Sequence, residues 1–285
     1  MRLFVILAAL LVSASPALAQ LPLAKDNPVV YGHHHINASN IAEAKRFWAD
    51  TLGGTSMTFG PQKAEVVKFP NVFLFMRAQA PKGGGSKGTS LNHVGFSVPD
   101  VQVMVDRVKA AGYKVVTREE AAPNQQVVGD LALLGGGARI AFVMAPDDVK
   151  VEFVEAKQQA EPIALHHLHF FTHQPAEMRA WYEKVFGAAA RPVAANAAFI
   201  SAALPGLVMN YTQVAEPTAA TAGRSFDHIG FEIRNLEEFC KRLEAQGIKL
   251  NVPYRYVDSF KLGLALLTDP WGTNIELNEG LDKIE

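Results

Sequence analysis

The fold is decided by a stretch of eight residues, HIGFEIRN at 228–235, in which a histidine opens an alternating segment and an asparagine closes it. Similar stretches occur three more times, as HHHINASN at 33–40, HVGFSVPD at 93–100 and HLHFFTHQ at 167–174. Self-similarity of this kind indicates one supersecondary unit that is used repeatedly. We therefore interpret the chain as four related units.

Each of these stretches is typical of a β-strand with one apolar face. Side chains alternate between the two faces of a strand, so Ile229 and Phe231 share one face and His228 lies on the other. A shift of one residue would place the histidine among the aliphatic side chains. The same count predicts six histidines on the faces away from the core: His33, His35, His93, His167, His169 and His228.

A helix pattern follows each strand. From Asn40, apolar residues recur at helical spacing as far as Leu52, and Gly53 ends the pattern. Pro175 near the start of the third helix and Gly187 after its end follow the usual asymmetry of helix boundaries. The other two helices are predicted at about 101–111 and 236–246. Short apolar runs come next, so the chain is predicted to be α+β, with four βαβββ units.

Composition excludes some classes of partner. The chain has 27 Lys plus Arg against 28 Asp plus Glu, a net charge of −1, and no block of basic residues. A nucleic-acid partner is therefore not expected. We expect a small-molecule substrate instead, and a homodimer is compatible with this interpretation.

The N-terminus is typical of a secretory signal peptide. Arg2 precedes an apolar run from Leu3 to Val12, and the small residues Ala17 and Ala19 form a cleavage site before Gln20. Residues 1–19 are therefore predicted to be removed, and the mature protein is expected to be periplasmic or secreted. The apolar run is short of the ~20 residues that a transmembrane helix needs, so stable membrane insertion after cleavage is not expected.

Three linkers separate the four units, and the middle one divides them into pairs. Residues 80–88, 156–164 and 216–225 carry the linker compositions. The separations of the repeated histidines group the first unit with the second and the third with the fourth. We predict an N-terminal domain at 30–155 and a C-terminal domain at 164–280.

Each half then offers two histidines and one glutamate on faces away from the core. The N-terminal set is His33, His93 and Glu152, and the C-terminal set is His167, His228 and Glu276. Two neutral imidazoles and one carboxylate form a ligand set that is used for catalytic divalent metals. The sequence leaves iron, zinc and manganese open as the metal.

These motifs resemble the vicinal oxygen chelate superfamily, which includes glyoxalase I, extradiol dioxygenases and bleomycin-resistance proteins. The resemblance rests on the repeated unit, on Phe47-Trp48 and Trp181-Tyr182, and on Asp269-Pro270-Trp271-Gly272 before Glu276. It implies two tandem domains, each an open eight-stranded cup flanked by helices, and a metal that the substrate chelates through adjacent oxygens. His167, His228 and Glu276 match the ligand positions of two-domain extradiol enzymes.

The chain departs from both named activities. Extradiol enzymes carry a histidine and a tyrosine shortly before the Asp-Pro turn, whereas residues 258–267 contain neither. Glyoxalase I takes a further glutamate from the end of its first unit, where this chain has Arg77 and Tyr211 nearby and no carboxylate.

Three further residues are candidates for catalysis. His169, like His35, lies two residues beyond a predicted ligand on the same face; each is an extra ligand, a proton-transfer group or a hydrogen-bond partner of a ligand. Glu232 shares the face of His228 and is a candidate base, and Tyr256 is a candidate for the lining of the cup.

The sequence thus favours an exported, divalent-metal-dependent enzyme of the extradiol dioxygenase type, acting on a small substrate with vicinal oxygens. A glyoxalase-type lyase or isomerase is the enzymatic alternative. A protein that sequesters a small ligand without turnover is the alternative from another class.

Overall fold

The computed structural model describes residues 21–123, 125–195 and 197–284. The predicted signal peptide at 1–19 lies outside the described residues. Among the described helices, none has the length and apolar character needed to cross a membrane.

The first two units run from β1 to β10. The first unit consists of β1 (Val29–Ala38), α1 (Ile41–Lys45, continued by a π-helix Arg46–Thr51), β2 (Thr55–Phe59), β3 (Ala64–Phe69) and β4 (Val72–Ala78). The second consists of β5 (Leu91–Val98), α2 (Val101–Ala110), β6 (Lys114–Val115), α3 (Thr117–Glu120), β7 (Val127–Val128), β8 (Leu131–Leu133), β9 (Arg139–Ala145) and β10 (Val149–Glu155).

The last two units run from β11 to β18. The third unit consists of β11 (Ala164–Thr172), α4 (Pro175–Phe186), β12 (Ala189–Arg191), β13 (Phe199–Leu204) and β14 (Leu207–Gln213). The fourth consists of β15 (Phe226–Ile233), α5 (Leu236–Ala245), β16 (Leu250–Val257), β17 (Leu262–Thr268) and β18 (Asn274–Glu279). Short 3-10 turns lie at Pro22–Lys25, Gly135–Gly137, Pro146–Asp148 and Leu281–Lys283.

The predicted helix boundaries are confirmed, and two of them have side-chain caps. The side chain of Asn40 accepts a hydrogen bond from the backbone N–H of Glu43 at 3.1 Å, and Asp100 accepts one from Gln102 at 2.8 Å. These caps satisfy N–H groups that have no partner within the helix. Gly187 ends α4 with a φ of 75°, a backbone conformation that glycine adopts without strain.

The predicted α+β fold class is confirmed, with two large mixed sheets. The first sheet has the strand order β16-β17-β18-β15-β1-β4-β3-β2. The second has the order β12-β13-β14-β11-β5-β10-β9-β8-β7, and β6 pairs with β9. Helices and the apolar strand faces form one large core, in which the ring of Phe96 from the second sheet lies 4.9 Å from Phe69 and 6.3 Å from Trp48 of the first unit.

The pairing of the units differs from the prediction. We expected each half of the chain to form its own cup, but β1 pairs antiparallel with β15 and β5 pairs antiparallel with β11. The first sheet therefore joins the first unit to the fourth, and the second sheet joins the second unit to the third. Alternation along a strand determines which face is buried but carries no information about which strand lies alongside, because the same pattern serves any partner.

Candidate metal centres

The first candidate centre lies where β1, β15 and β18 run side by side. His33 and His35 come from β1, His228 from β15 and Glu276 from β18; one ligand atom from each lies within 4.8 Å of the others. Nε2 of His228 is 3.2 Å from Oε2 of Glu276. We call these four residues the first cluster.

The second candidate centre has the same construction on the other sheet. His167 and His169 come from β11, His93 from β5 and Glu152 from β10, with the same 4.8 Å limit between ligand atoms. Oε2 of Glu152 is 2.9 Å from Nε2 of His93 and 3.2 Å from Nε2 of His167. We call these residues the second cluster.

The two clusters match closely in geometry. The rings of His35 and His228 lie 4.5 Å apart in the first cluster, and those of His169 and His93 lie 4.6 Å apart in the second. In both β1 and β11, register shifts occur just before and just after the histidine pair. Such irregularities re-aim the side chains of the strand that carries them.

These positions correct the predicted ligand sets. The structure does not bring His167 together with His228 and Glu276, nor His33 together with His93 and Glu152. All six predicted ligands lie in clusters, but His33 joins His228 and Glu276, while His167 joins His93 and Glu152. The cause is the pairing of the first unit with the fourth and of the second with the third.

Two other predicted site residues lie outside both clusters. The side-chain oxygens of Glu232 accept hydrogen bonds from the backbone N–H groups of Gly280 at 2.6 Å and Leu281 at 3.0 Å, so Glu232 holds the C-terminal turn. Tyr256 is 55% exposed and pairs with Gly263, which pairs in turn with Glu279. Glu279 accepts hydrogen bonds from the N-terminus of α5, so Tyr256 lies on the helix side of the sheet.

Partners behind the histidines orient several of the rings. Nδ1 of His228 is 2.6 Å from Oδ1 of Asp227, and Nδ1 of His93 is 2.9 Å from Oδ1 of Asn92. When Nδ1 donates to these oxygens, Nε2 is left free to accept, which is the usual arrangement behind a metal-binding histidine.

On β11 other residues orient the histidine rings. Nδ1 of His167 is 2.8 Å from Nδ1 of His166, and Nε2 of His169 is 2.8 Å from Oγ1 of Thr212. His166 lies at the register shift before His167. Sequence reasoning missed these partners. The only available signal was a polar residue next to a predicted ligand, and it identifies Asp227, Asn92 and His166 but not Thr212.

Burial and neighbouring charges set the protonation of the clusters. Burial lowers the pKa of His33 and of His93 to about 4, so both rings are neutral near pH 7. Burial raises the pKa of Glu276, but a hydrogen bond from His228 and the nearby histidines outweigh it and hold that pKa well below its usual range. Burial lowers the pKa of His228, and hydrogen bonds to Asp227 and Glu276 outweigh this and raise it.

The donor sets fit a divalent metal ion. Buried histidine nitrogens of both clusters have no hydrogen-bond partner: Nδ1 of His33 in the first cluster, and Nε2 of His167 and Nδ1 of His169 in the second. Buried polar atoms normally have a partner, so several such nitrogens beside a carboxylate are suited to binding a cation. Imidazole and carboxylate ligands suit zinc, iron and manganese, and the residues do not distinguish among them.

Comparison with known proteins agrees with this construction. The profile of the Glyoxalase/Bleomycin resistance protein/Dioxygenase superfamily matches residues 30–153 and 164–277. A probable lactoylglutathione lyase of Vibrio parahaemolyticus is 35% identical over 71 residues, which is 25% of this chain and 44% of that protein. A protein of Vibrio cholerae with the same description is 35% identical over 72 residues, again 44% of its length. The alignments thus span less than half of these curated relatives.

Solved structures share the fold at low identity. Glyoxalase I from Zea mays superposes with a TM-score of 0.69 at 15% identity, covering 92% of this chain and 96% of that one. A putative dioxygenase from Bacillus subtilis superposes with a TM-score of 0.63 at 14% identity, covering 87% of this chain and 84% of the other. These likenesses show the architecture alone.

Proposed function

The chain belongs to the Glyoxalase/Bleomycin resistance protein/Dioxygenase superfamily, and on that premise we propose that it is a divalent-metal-dependent enzyme acting on a small substrate with two adjacent oxygen atoms. One observation carries the proposal: in each sheet, ligand atoms from three histidines and one glutamate lie within 4.8 Å of one another. A metal held there would act as a Lewis acid on the oxygens of the substrate.

The number of protein ligands favours a lyase or isomerase. A metal in octahedral geometry, such as manganese, has six ligand positions. With His35 in the first cluster, or His169 in the second, four positions are occupied by protein. Two positions then remain, which is the number that a pair of vicinal oxygens needs, and none is left for dioxygen. Similarity to proteins described as probable lactoylglutathione lyases supports the same class.

A dioxygenase is the second candidate, and the lower burial of one histidine in each cluster favours it. His35 and His169 are only partly buried, whereas the other two histidines of each cluster are fully buried. If His169 does not bind the metal, two histidines and one glutamate remain as the protein ligands of the second cluster. That set leaves positions for both a chelating substrate and dioxygen, as in non-haem iron oxygenases.

The protein's own residues would prepare the site for either reaction. Asp227, Asn92 and His166 hold the rings of the ligands at Nδ1, and burial keeps bulk water from most of the cluster. His33, His93, His167 and His228 are each 2% exposed. We also propose that the protein acts after export, because residues 1–19 are typical of a signal peptide.

Metal analysis and turnover would test the function together. Purified mature protein should contain one to two divalent ions per chain, and removing them with a chelator should abolish turnover that Zn²⁺, Mn²⁺ or Fe²⁺ restores. Lactoylglutathione and catechol serve as probes, each assayed with and without oxygen. Turnover of lactoylglutathione in anaerobic buffer supports the lyase, and oxygen consumption with catechol supports the dioxygenase.

A negative result is equally informative. Protein that takes up no metal at either cluster overturns the proposal. Protein that binds metal and either probe without turnover would act as a sequestering protein.

A further inference from the structure

We infer that the second cluster binds its metal together with an anionic oxygen ligand such as a carboxylate, whereas the first cluster needs no anionic ligand to hold its metal. This inference rests on the metal assignment proposed above and deepens it by naming a substrate class for one of the two centres. Three differences between the otherwise matching clusters carry it.

The first difference lies behind the histidine on β15 or β5. His228 is backed by the carboxylate of Asp227, which also accepts hydrogen bonds from Nδ2 of Asn37 at 3.1 Å and from the backbone N–H of Gly223 at 2.6 Å. His93 is backed by the neutral amide of Asn92. A carboxylate behind a histidine increases its basicity toward a metal more than an amide does.

The second difference lies two residues before the glutamate. Gly230 pairs with Glu276 and Gly95 pairs with Glu152, so Asn274 and Lys150 take equivalent places on the cluster faces. Lys150 is 3% exposed, and its ammonium lies 4.5 Å from the ring centre of Phe142. The second cluster therefore has a buried cation beside it where the first has a neutral amide.

The charge of Lys150 is only partly neutralised. Its Nζ is 2.8 Å from Oε2 of Glu120, and Oε1 of the same carboxylate pairs with Nζ of Lys87. Two ammonium groups thus share one carboxylate, which leaves this trio with a net positive charge. The first cluster has one carboxylate, Glu276, with a second, Asp227, behind it, and the cation that acts on it is the exposed Arg77 near His35; the second cluster has Glu152, opposed by the buried trio.

The third difference lies in the residues beside the histidine pairs. In the first sheet His33 and His35 pair with Phe73 and Phe75. In the second, His169 pairs with Asn210, whose Oδ1 accepts a hydrogen bond from Ser201 at 3.0 Å. At this one position the second cluster has an amide where the first has Phe75, so a charged ligand would have a hydrogen-bond partner there; phenylalanine rings border both clusters, and His167 pairs with Val208.

These differences predict that metal and anion bind cooperatively at the second cluster only. A divalent cation at the second cluster is repelled by the positive trio. An anion placed between the metal and Lys150 would reduce that repulsion. Each ligand should then raise the affinity for the other by the same factor. At the first cluster the protein already supplies the negative charge.

The test is a titration of metal-free mature protein with Co²⁺, in which calorimetry and the absorbance of the bound ion measure binding. Glycolate is the anionic probe, and ethylene glycol is the matched neutral probe with the same two adjacent oxygens. Glu276→Gln and Glu152→Gln variants weaken one cluster each, so that the other is observed. We expect glycolate to tighten Co²⁺ binding about 10-fold in E276Q, where the second cluster remains, and to leave Co²⁺ binding in E152Q unchanged.

Variants near the cluster separate charge from structure. Lys150→Gln should abolish the glycolate effect, and Asn92→Asp should tighten Co²⁺ binding at the second cluster without glycolate. Because Lys150 is buried, Lys87→Gln is the second variant; its side chain is 53% exposed, and its loss should reduce the glycolate effect by lowering the net charge of the trio.

Several results would overturn the inference: equal tightening of both clusters by glycolate, equal effects of glycolate and ethylene glycol, or an unchanged glycolate effect in both Lys variants. A failure of the proposed function looks different, because Co²⁺ would then bind at neither cluster under any condition.

Discussion

The imidazole of His33 occupies the space that a side chain at Gly230 would need. A Cβ at Gly230 would lie 1.9 Å from Cε1 of His33. On the second sheet, a Cβ at Gly95 would lie 2.1 Å from Cε1 of His167. Each cluster therefore depends on a glycine on the neighbouring strand, because the ligand ring occupies the space beside it.

Replacing either glycine by alanine should displace one ligand ring and empty one cluster. We expect Gly230→Ala to remove the metal of the first cluster and Gly95→Ala that of the second, so each variant should lose one ion per chain. The measurement is metal content after dialysis. Gly135→Ala, at a position where a Cβ meets nothing within 4 Å, is the control. Two fully loaded clusters in G230A would contradict the steric argument.

The pairing of the units can be tested with double variants. His167→Ala with Glu152→Gln removes two ligands from one cluster, so the other should stay loaded. His167→Ala with Glu276→Gln removes one ligand from each cluster. Both clusters should then bind Co²⁺ more weakly, by at least about 10-fold. Titration with Co²⁺ distinguishes the two outcomes. If each half of the chain formed its own site, the second double variant would instead leave one site intact.

The hydroxyl of Thr212 should orient His169. Thr212→Val keeps the shape of the side chain but removes the oxygen 2.8 Å from Nε2 of His169. We expect metal affinity at the second cluster, measured in the Glu276→Gln background, to fall by about 10- to 100-fold. The first cluster, measured in the Glu152→Gln background, should not change. Thr58→Val, at an exposed position on β2, controls for the substitution itself.

Glu232 should make stability depend on pH. Burial raises the pKa of Glu232 to about 8, against the hydrogen bonds from Gly280 and Leu281, which lower it. A carboxyl whose pKa is higher in the folded than in the unfolded state stabilises the fold at low pH. That stabilisation is lost as the pH rises from about 4.5 to about 8.

Comparison with Glu232→Gln would isolate this effect. The free energy of unfolding of the metal-free wild type, relative to that of the variant, should decrease across this pH range. Urea unfolding at several pH values measures it, with Glu177→Gln at an exposed position of α4 as the control. A difference that increases with pH would show that the hydrogen bonds outweigh burial.

The sequence by itself determined the repeated unit, the face of each histidine and the ends of the helices. These features are local. Strand alternation places His93 and Val94 on opposite faces. Helices start where Asn40 and Asp100 accept hydrogen bonds from free backbone N–H groups, and α4 ends at Gly187, which adopts a positive φ. All six predicted metal ligands could be found in this way, because their faces follow from neighbours a few residues away.

Only the tertiary structure decided which residues meet. His33 and His228 are far apart in the chain, and nothing in the alternation of β1 favours β15 over β5 as its neighbour. The position of Tyr256 was also decided by the tertiary structure, because a change of register along β16 leaves this residue on the helix side of the sheet. The position of Lys150 beside His93 likewise follows from the pairing of β10 with β5. Partners across a sheet are selected by the packing of whole units around a shared core, and that selection leaves no signal in any one strand.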